Sequence, residues 1–295
     1  MRNLFRLSIA FVLAACTGCE SSRPPEPPAP TDHAGLDNLL PVGDGLWSGS
    51  APEGDPGFAS LQALGVRTII SVDGAEPDVD RAKRLGIRYV HIPLNYGGVT
   101  REQALRLVRA TSELPGPIYI HCHHGKHRGP TAAAIVRRCR DDAWSADEAV
   151  EFLHRAGTDQ RYEGLYGAVG EFYPPSADEL ASVPADFPES VLPFGLAAAM
   201  VELDELWTRL EKSRANGWQD AKALAVQFVE QYREIQRLPD VSRRGDKFRQ
   251  VLSQAATASE VLETAIRAGD DSHRQSAFVQ SRSLCTSCHR EHRDR

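Results

Sequence analysis

His121-Cys122-His123-His124-Gly125-Lys126-His127-Arg128 decides the reading of the first half of this chain. A cysteine is followed, after five intervening residues, by an arginine. The run 117–120 before it is apolar and short, as a buried strand is, and the run 131–140 after it is helix-forming. A strand, a tight loop and a helix N-terminus in that order build an anion cradle, where loop N–H groups and the helix dipole converge on one phosphate-like ion. In the same field a cysteine becomes a thiolate nucleophile. Arg128 offers a planar fork for two phosphate oxygens. A metal site built from Cys122, His123, His124 and His127 is the competing reading, and Lys126 and Arg128 count against it because they repel a cation.

In this strand–loop–helix setting the motif resembles the phosphate-binding loop of the cysteine-dependent protein tyrosine and dual-specificity phosphatase superfamily. The resemblance implies that Cys122 is the nucleophile that forms a phosphocysteine and that Arg128 holds the phosphate and the transition state. It implies that His121, directly before the cysteine, helps set the thiolate, and that His123, His124, Gly125, Lys126, His127 and Gly129 surround the phosphate. The family usually has Ser or Thr after the arginine, to assist the leaving thiolate. Here Gly129 and Pro130 follow, and Thr131 is the nearest hydroxyl. The Gly-Lys-His-Arg run further resembles the atypical dual-specificity phosphatases that act on inositol polyphosphates and pyrophosphates. That likeness implies a densely charged substrate, with three imidazoles that a bound anion helps to protonate. The alternative is that these side chains only raise affinity for any phosphoester.

A general acid is harder to place. Family members carry an Asp in the loop after the preceding strand, but the strand over 88–94 is followed by Asn95-Tyr96-Gly97-Gly98. An amide cannot protonate a leaving alkoxide, and such a proton is typically worth about 10²–10⁴-fold in rate. Asp73 follows the buried-looking strand over 67–72, so it is expected at the sheet's C-terminal edge beside the cradle and is the leading candidate for the acid. Asp78 and Asp80 stand in the same loop. The competing reading makes Asp73-Gly74 a turn and Asp78 the start of a helix.

The other end of the chain reads Cys285-Thr286-Ser287-Cys288-His289, a Cys-x-x-Cys-His motif for covalent haem c attachment. Two thiols one helical turn apart reach the two haem vinyl groups, and the adjacent His289 ligates the iron. Zinc held by Cys285, Cys288 and two of His273, His289 and His292 is the rival, weakened by the lack of a second cysteine pair. The preceding residues carry four helical stripes: Leu196 to Leu210, Trp218 to Ile235, Phe248 to Ile266 and Phe278 to Cys288. Pro239 and Gly245 break the chain after the second, and Gly269-Asp270-Asp271 after the third. That is an all-α antiparallel four-helix bundle. With its motif on the last helix, it resembles the cytochrome c′ and c-556 family. The resemblance implies Met200, early in the first helix, as a second iron ligand, a position that core packing would equally explain. Without Met200 the iron is open to small gases. Bundles of this kind often dimerise.

Arg2 and Arg6 precede an apolar run ending Leu13-Ala14-Ala15-Cys16, a secretory leader that also matches a bacterial lipoprotein box. Cys16 is therefore expected to be lipidated and the protein exported, membrane-anchored and facing the periplasm. The apolar run is too short to span a bilayer. The expected organisation is leader 1–15, Pro-rich tether 16–35, phosphatase-like α/β domain 36–173 with a mostly parallel sheet, linker 174–193, and haem-binding bundle 194–295. Strands are predicted over 45–50, 67–72, 88–94 and 117–122, with helices over 58–64, 78–85, 101–112 and 131–140 and a further helix from the Ser145 capping box to 154. A net charge of −6 on 295 residues gives no sign of nucleic-acid binding. Cys139 is expected on the apolar face of the helix after the cradle, and Cys19 has no assigned role. Two functions remain open. One is a phosphomonoesterase acting on phosphotyrosine or an inositol phosphate, tuned by a haem that senses redox state or a diatomic gas. The other is an electron-transfer or sensor cytochrome, with a redox partner, whose cradle only binds a phosphorylated ligand.

Overall fold

The computed structural model describes residues 31–292 except 44, 141–142 and 192–194; the leader, Cys16, Cys19 and most of the tether lie outside the described residues. Six strands form one sheet: β1 (Thr31–His33), β2 (Leu36–Gly43), β3 (Leu46–Ser50), β4 (Thr68–Ser71), β5 (Arg88–His91) and β6 (Ile118–Cys122), in the order β1-β2-β3-β6-β4-β5. β3, β6, β4 and β5 run parallel. β1 and β2 pair antiparallel ahead of them. Every residue of β4 and β6 is buried, as in a parallel sheet covered on both faces.

Alternate residues of the central strands serve two cores. Ile69, Tyr89 and Tyr119 pack with Phe58 and Leu61 of α1 (Gly54–Ala63) on one face, beside α2 (Val79–Arg84). Ile70, Val90 and Ile120 pack on the other against Leu107 of α3 (Arg101–Glu113), Ile135 of α4 (Arg128–Arg137) and Phe152 of α5 (Ala146–Arg155). Capping boxes at Thr100 and Ser145 start α3 and α5. α6 (Glu163–Gly170) completes the layer.

Two boundaries differ from the sequence expectation. Among the described residues the first domain already includes β1, which turns through Gly35 (φ +73°) into β2. The alternation of β2 is masked by Pro41 and by Asn38, whose φ is +50°. The described part of the linker, 174–191, packs on the first domain. It holds α7 (Ala177–Ser182), pairs Glu179 with Arg101 at 2.8 Å, and buries Phe187 in the first domain's core.

α8 (Leu196–Ala215), α9 (Ala221–Gln236), α11 (Asp246–Ala268) and α12 (Asp271–His292) form the bundle, with α10 (Pro239–Ser242) in the turn after α9. Their directions alternate. Gln231 near the end of α9 bonds Ala199 at the start of α8, and Lys247 at the start of α11 pairs with Glu291 at the end of α12. Leu203, Trp207, Leu210, Leu224, Phe228, Leu262, Ile266 and Phe278 fill the core, with Trp207 and Phe278 stacked at 4.3 Å. None of the described helices is long and apolar enough to cross a membrane.

Candidate active site

The cradle is built where β6 ends and α4 begins. Cys122 closes β6 opposite Ser50 of β3, and the chain turns through 123–127 so that Arg128 opens α4. Gly125 makes this turn possible. Its φ is +68°, and a Cβ there would fall 2.3 Å from the carbonyl carbon of Gly49. The loop is tied down by three outside bonds. Asn38 Nδ2 donates to the Gly125 carbonyl at 2.8 Å, Thr158 Oγ1 donates to the Lys126 carbonyl at 2.6 Å, and Ala51 N–H donates to the His123 carbonyl at 3.1 Å. Gly129 explains the departure after the arginine: a Cβ there would lie 3.1 Å from the Cys122 backbone nitrogen, so α4 starts tightly against the strand end. Thr131 does not replace the missing hydroxyl. Its Oγ1 donates one turn back to the His127 carbonyl at 3.0 Å.

Cys122 and Arg128 are almost fully enclosed, at 2% and 1% exposure. The Arg128 guanidinium lies 4.4 Å above the Tyr96 ring. Nη1 donates to the Leu94 carbonyl at 3.2 Å, and Nη2 meets Asp73 Oδ1 at 2.8 Å and Glu234 Oε1 at 2.7 Å. Nε is buried without an acceptor, on the edge that with Nη2 forms a fork for an oxyanion.

His121 lies beneath the cradle. Its Nε2 sits 2.6 Å from the Tyr89 hydroxyl, its ring stacks on Tyr119, and it makes no hydrogen bond to the Cys122 sulfur. Burial lowers its pKa to about 4. Burial likewise lowers His127 to about 4, with its ring packed 4.5 Å from Tyr162. His123 is also shifted down, by burial and by the Arg237 charge. Desolvation thus lowers the proton affinity of His121, His123 and His127 alike. His124 and Lys126 are exposed at the rim, where His124 packs on His123 at 4.2 Å.

These imidazoles make the fold acid-sensitive. The unfolded chain binds their protons more tightly than the folded one. Their contribution is complete above pH 6.5 and is lost as the pH falls through about 4. Fully buried His121 alone contributes roughly 3 kcal/mol on this basis. Denaturant titrations at pH 7 and pH 4.5 should show a clearly lower midpoint at the acid pH, and His121→Phe should flatten the difference. Equal midpoints would refute the buried neutral state.

Asp73 does stand beside the cradle, at the end of β4 as expected, but not as a proton donor. Burial alone would raise its pKa. Hydrogen bonds from Arg237 at 2.7 and 2.9 Å and the charges of Arg128 and Arg237 outweigh that and hold the carboxyl well below the usual range. Its backbone carbonyl accepts from His91 Nε2 at 2.8 Å, a tautomer set by the Val191 N–H donated to Nδ1. Asp78 caps α2, Asp80 is exposed, and Asn95 is exposed with its Oδ1 accepting from the Gly97 N–H in a turn.

Two residues that the sequence did not point to complete the site, both from α9 and its end. Glu234 and Arg237 close a ring of charge with Asp73 and Arg128, and Arg237 also pairs with Glu234. Around the ring the two domains meet through Tyr162 donating to Glu230 at 2.8 Å and through a patch of Tyr96, Tyr162, Leu165 and Val226. In sequence Glu234 and Arg237 read as an ordinary solvent-facing pair on a helix.

Elsewhere in the bundle, Cys285 and Cys288 are unpaired and half-buried on one face of α12. Cys285 Sγ lies 3.4 Å from the Tyr232 hydroxyl of α9. Met200 and Cys288 pack against the same core, and His289 is exposed. His273 pairs with Asp270 at 2.9 Å near the start of α12, roughly 18 Å from Cys285 along the helix, which removes it from any zinc set with these thiols. Among the described residues no group of three or more His, Cys, Asp or Glu side chains is arranged to hold a metal ion. Cys139 lies just past the end of α4 rather than within it, and burial pushes its thiol up to about 11.

An α/β sheet ending in a Cys–x₅–Arg cradle, joined to a helical bundle, is the class of molecule that fold and site define. No protein-family model matches the chain. Over 124 residues it is 30% identical to the dual specificity protein phosphatase TpbA of Pseudomonas aeruginosa (strain UCBPP-PA14), a match covering 41% of this chain and 55% of that protein. The chain thus spans about half the length of this curated relative. Among solved structures it is similar to P. aeruginosa TpbA, with a TM-score of 0.41 and 23% identity over 50% of this chain and 94% of that one. It is also similar to the core catalytic domain of the PP-IP phosphatase SIW14 from S. cerevisiae in complex with citrate, with a TM-score of 0.36 and 17% identity over 52% and 90% of the two chains.

Proposed function

We propose that the first domain is a cysteine-dependent phosphomonoesterase and that the bundle is its covalently attached haem c partner. The observation that carries the first half is Cys122 and the unsatisfied Arg128 Nε enclosed in one loop at a helix N-terminus. The sulfur attacks phosphorus while the phosphorus–oxygen bond to the leaving group breaks. Water then attacks the phosphocysteine, releasing inorganic phosphate and restoring the thiolate. The exposed His123, His124 and Lys126 at the rim favour a substrate with more than one phosphate, such as an inositol phosphate, over an isolated phosphotyrosine.

Cys285 and Cys288 would bind the haem, with His289 and Met200 on the iron. Their fit rests on two unpaired thiols on one helical face against the same core as Met200. When bound, the group would supply a centre that changes redox state, and one open to a small gas only where Met200 leaves the iron. Replacing Met200 by Ala in the haem-loaded protein is expected to convert a low-spin absorption spectrum to high spin; an unchanged spectrum removes Met200 from the iron. The lipoprotein box at Cys16 supports an exported, membrane-tethered chain, the setting in which haem c is attached.

The test is phosphate release by the haem-loaded protein on aryl phosphate, phosphotyrosine and inositol polyphosphate, with Cys122→Ser as control. Cys122-dependent release on any of them supports the enzyme. The second reading, a sensor cytochrome with a binding-only cradle, draws on Asn95, which stands where an acid is needed. Tight phosphate binding without release would favour it.

A further inference from the structure

The carboxyl group missing from the loop after β5 is supplied by the other domain. Two carboxylates flank Arg128, one from each domain, and both touch the same Nη2. Asp73 accepts from two guanidiniums and from the Gly74 N–H, so both its oxygens are committed and it stays ionised. Glu234 accepts fewer bonds, one guanidinium on each oxygen: Arg128 on Oε1 and Arg237 on Oε2. It faces Arg128 from α4, Asp73 from the loop after β4, Tyr96 from the loop after β5, and Arg237 on its own element. Glu230 on α9, Glu202 and Arg209 on α8 and His91 on β5 line the same space. Burial raises the pKa of Glu234, the opposite direction from Asp73. Neighbouring carboxyls pushed apart in this way divide into an ionised partner and a proton carrier.

The position suits the chemistry. Glu234 comes from the bundle and reaches Arg128 Nη2, one prong of the oxyanion fork, which places it beside a phosphoryl group held by that fork. Gly74 makes room for it, since a Cβ there would lie 2.7 Å from Glu234 Oε2. Arg128, Asn95, Tyr96 and Glu234 share a cavity of about 490 Å³ between the domains, space for a leaving group. A phosphoryl group entering the cradle takes the Arg128 Nε and Nη2 fork, releases Glu234 from Nη2, and leaves it facing new negative charge, which favours its protonated form.

We propose that Glu234 is the general acid of the phosphatase site, which rests on the phosphatase reading of the cradle. As the Cys122 sulfur–phosphorus bond forms and the phosphorus–oxygen bond breaks, the Glu234 proton passes to the leaving oxygen, giving an alcohol and the Glu234 carboxylate. In the second step that carboxylate takes a proton from the attacking water. Phosphate departs, and the thiolate and the protonated Glu234 are restored.

The experiment measures kcat of the full haem-loaded chain and of Glu234→Gln and Glu234→Asp, on p-nitrophenyl phosphate and on an alkyl phosphate, across pH. Glu234→Gln should lose about 10²–10⁴-fold on the alkyl phosphate, little on the aryl phosphate, and the basic limb of the pH–rate profile. Glu234→Asp should keep that limb and recover part of the rate. Equal losses on both substrates with the pH limb intact would reduce Glu234 to a structural contact. Higher rates on both would make it a competitor that occludes Arg128. Either outcome overturns the proposal while the phosphatase reading stands. No Cys122-dependent release from the unsubstituted chain on either substrate overturns both.

Discussion

Cys122→Ser is expected to bring phosphate release to background, a loss on the order of 10⁴–10⁶-fold, with binding of an oxyanion such as tungstate retained. The two halves of this expectation have separate causes. Binding depends on the backbone turn through Gly125 and on the Arg128 fork, neither of which the substitution touches. Turnover depends on a sulfur that ionises. A serine hydroxyl in its place would need a base to remove its proton, and His121 has its Nε2 on Tyr89 and a proton affinity that burial lowers. Calorimetric titration of the oxyanion beside a single-turnover assay separates the two. Residual turnover in the serine variant within tenfold of the parent would exclude a phosphocysteine.

Arg128→Ala should have the largest effect on stability. The guanidinium is enclosed between Asp73, Glu234, the Leu94 carbonyl and the Tyr96 face. Removing it leaves two enclosed carboxylates with Arg237 as their remaining cation. Breaking a buried pair on one side typically costs about 3–5 kcal/mol, which for a domain of this size lowers Tm by roughly 10 °C. Oxyanion binding should vanish as well. Asp73→Asn combined with Arg128→Ala should recover part of the lost stability, because one uncompensated charge is then gone. Scanning calorimetry of the three proteins decides this. An unchanged Tm for Arg128→Ala would mean that the ring of charge does not form. Arg128→Lys should not rescue binding, since an ammonium cannot reproduce the two-pronged contact.

The cradle was legible because its chemistry is local. Cys122 and Arg128 are held by a strand end, one positive-φ glycine and a helix start, all within a few residues. The alternation of strands and helices and the stripes of the bundle were readable for the same reason, since burial imposes a period on neighbouring residues. The N-terminal hairpin was hidden by Pro41 and Asn38, which disrupt the period without preventing pairing. Asp73 was placed correctly in space, yet its proton affinity depends on Arg237, which is 164 residues away. No pattern along the chain signals that α9 folds onto the cradle. The neutral state of His121 and His127 is likewise a consequence of enclosure, which a one-dimensional reading of a basic loop does not contain.

α9 carries a further consequence. Within about half a turn it holds Tyr232 against Cys285 and Glu234 against Arg128, with Arg237 on Asp73 just under a turn further on. An oxyanion that draws Arg128 away from Glu234 changes the free energy with which the two domains hold together. Thermodynamic reciprocity then requires that any event at the cysteine end that tightens or loosens this joint alter oxyanion affinity by the same factor. A coupling of that kind needs no travelling conformational wave and no change of fold, only a stretch of helix short enough that neither contact moves alone.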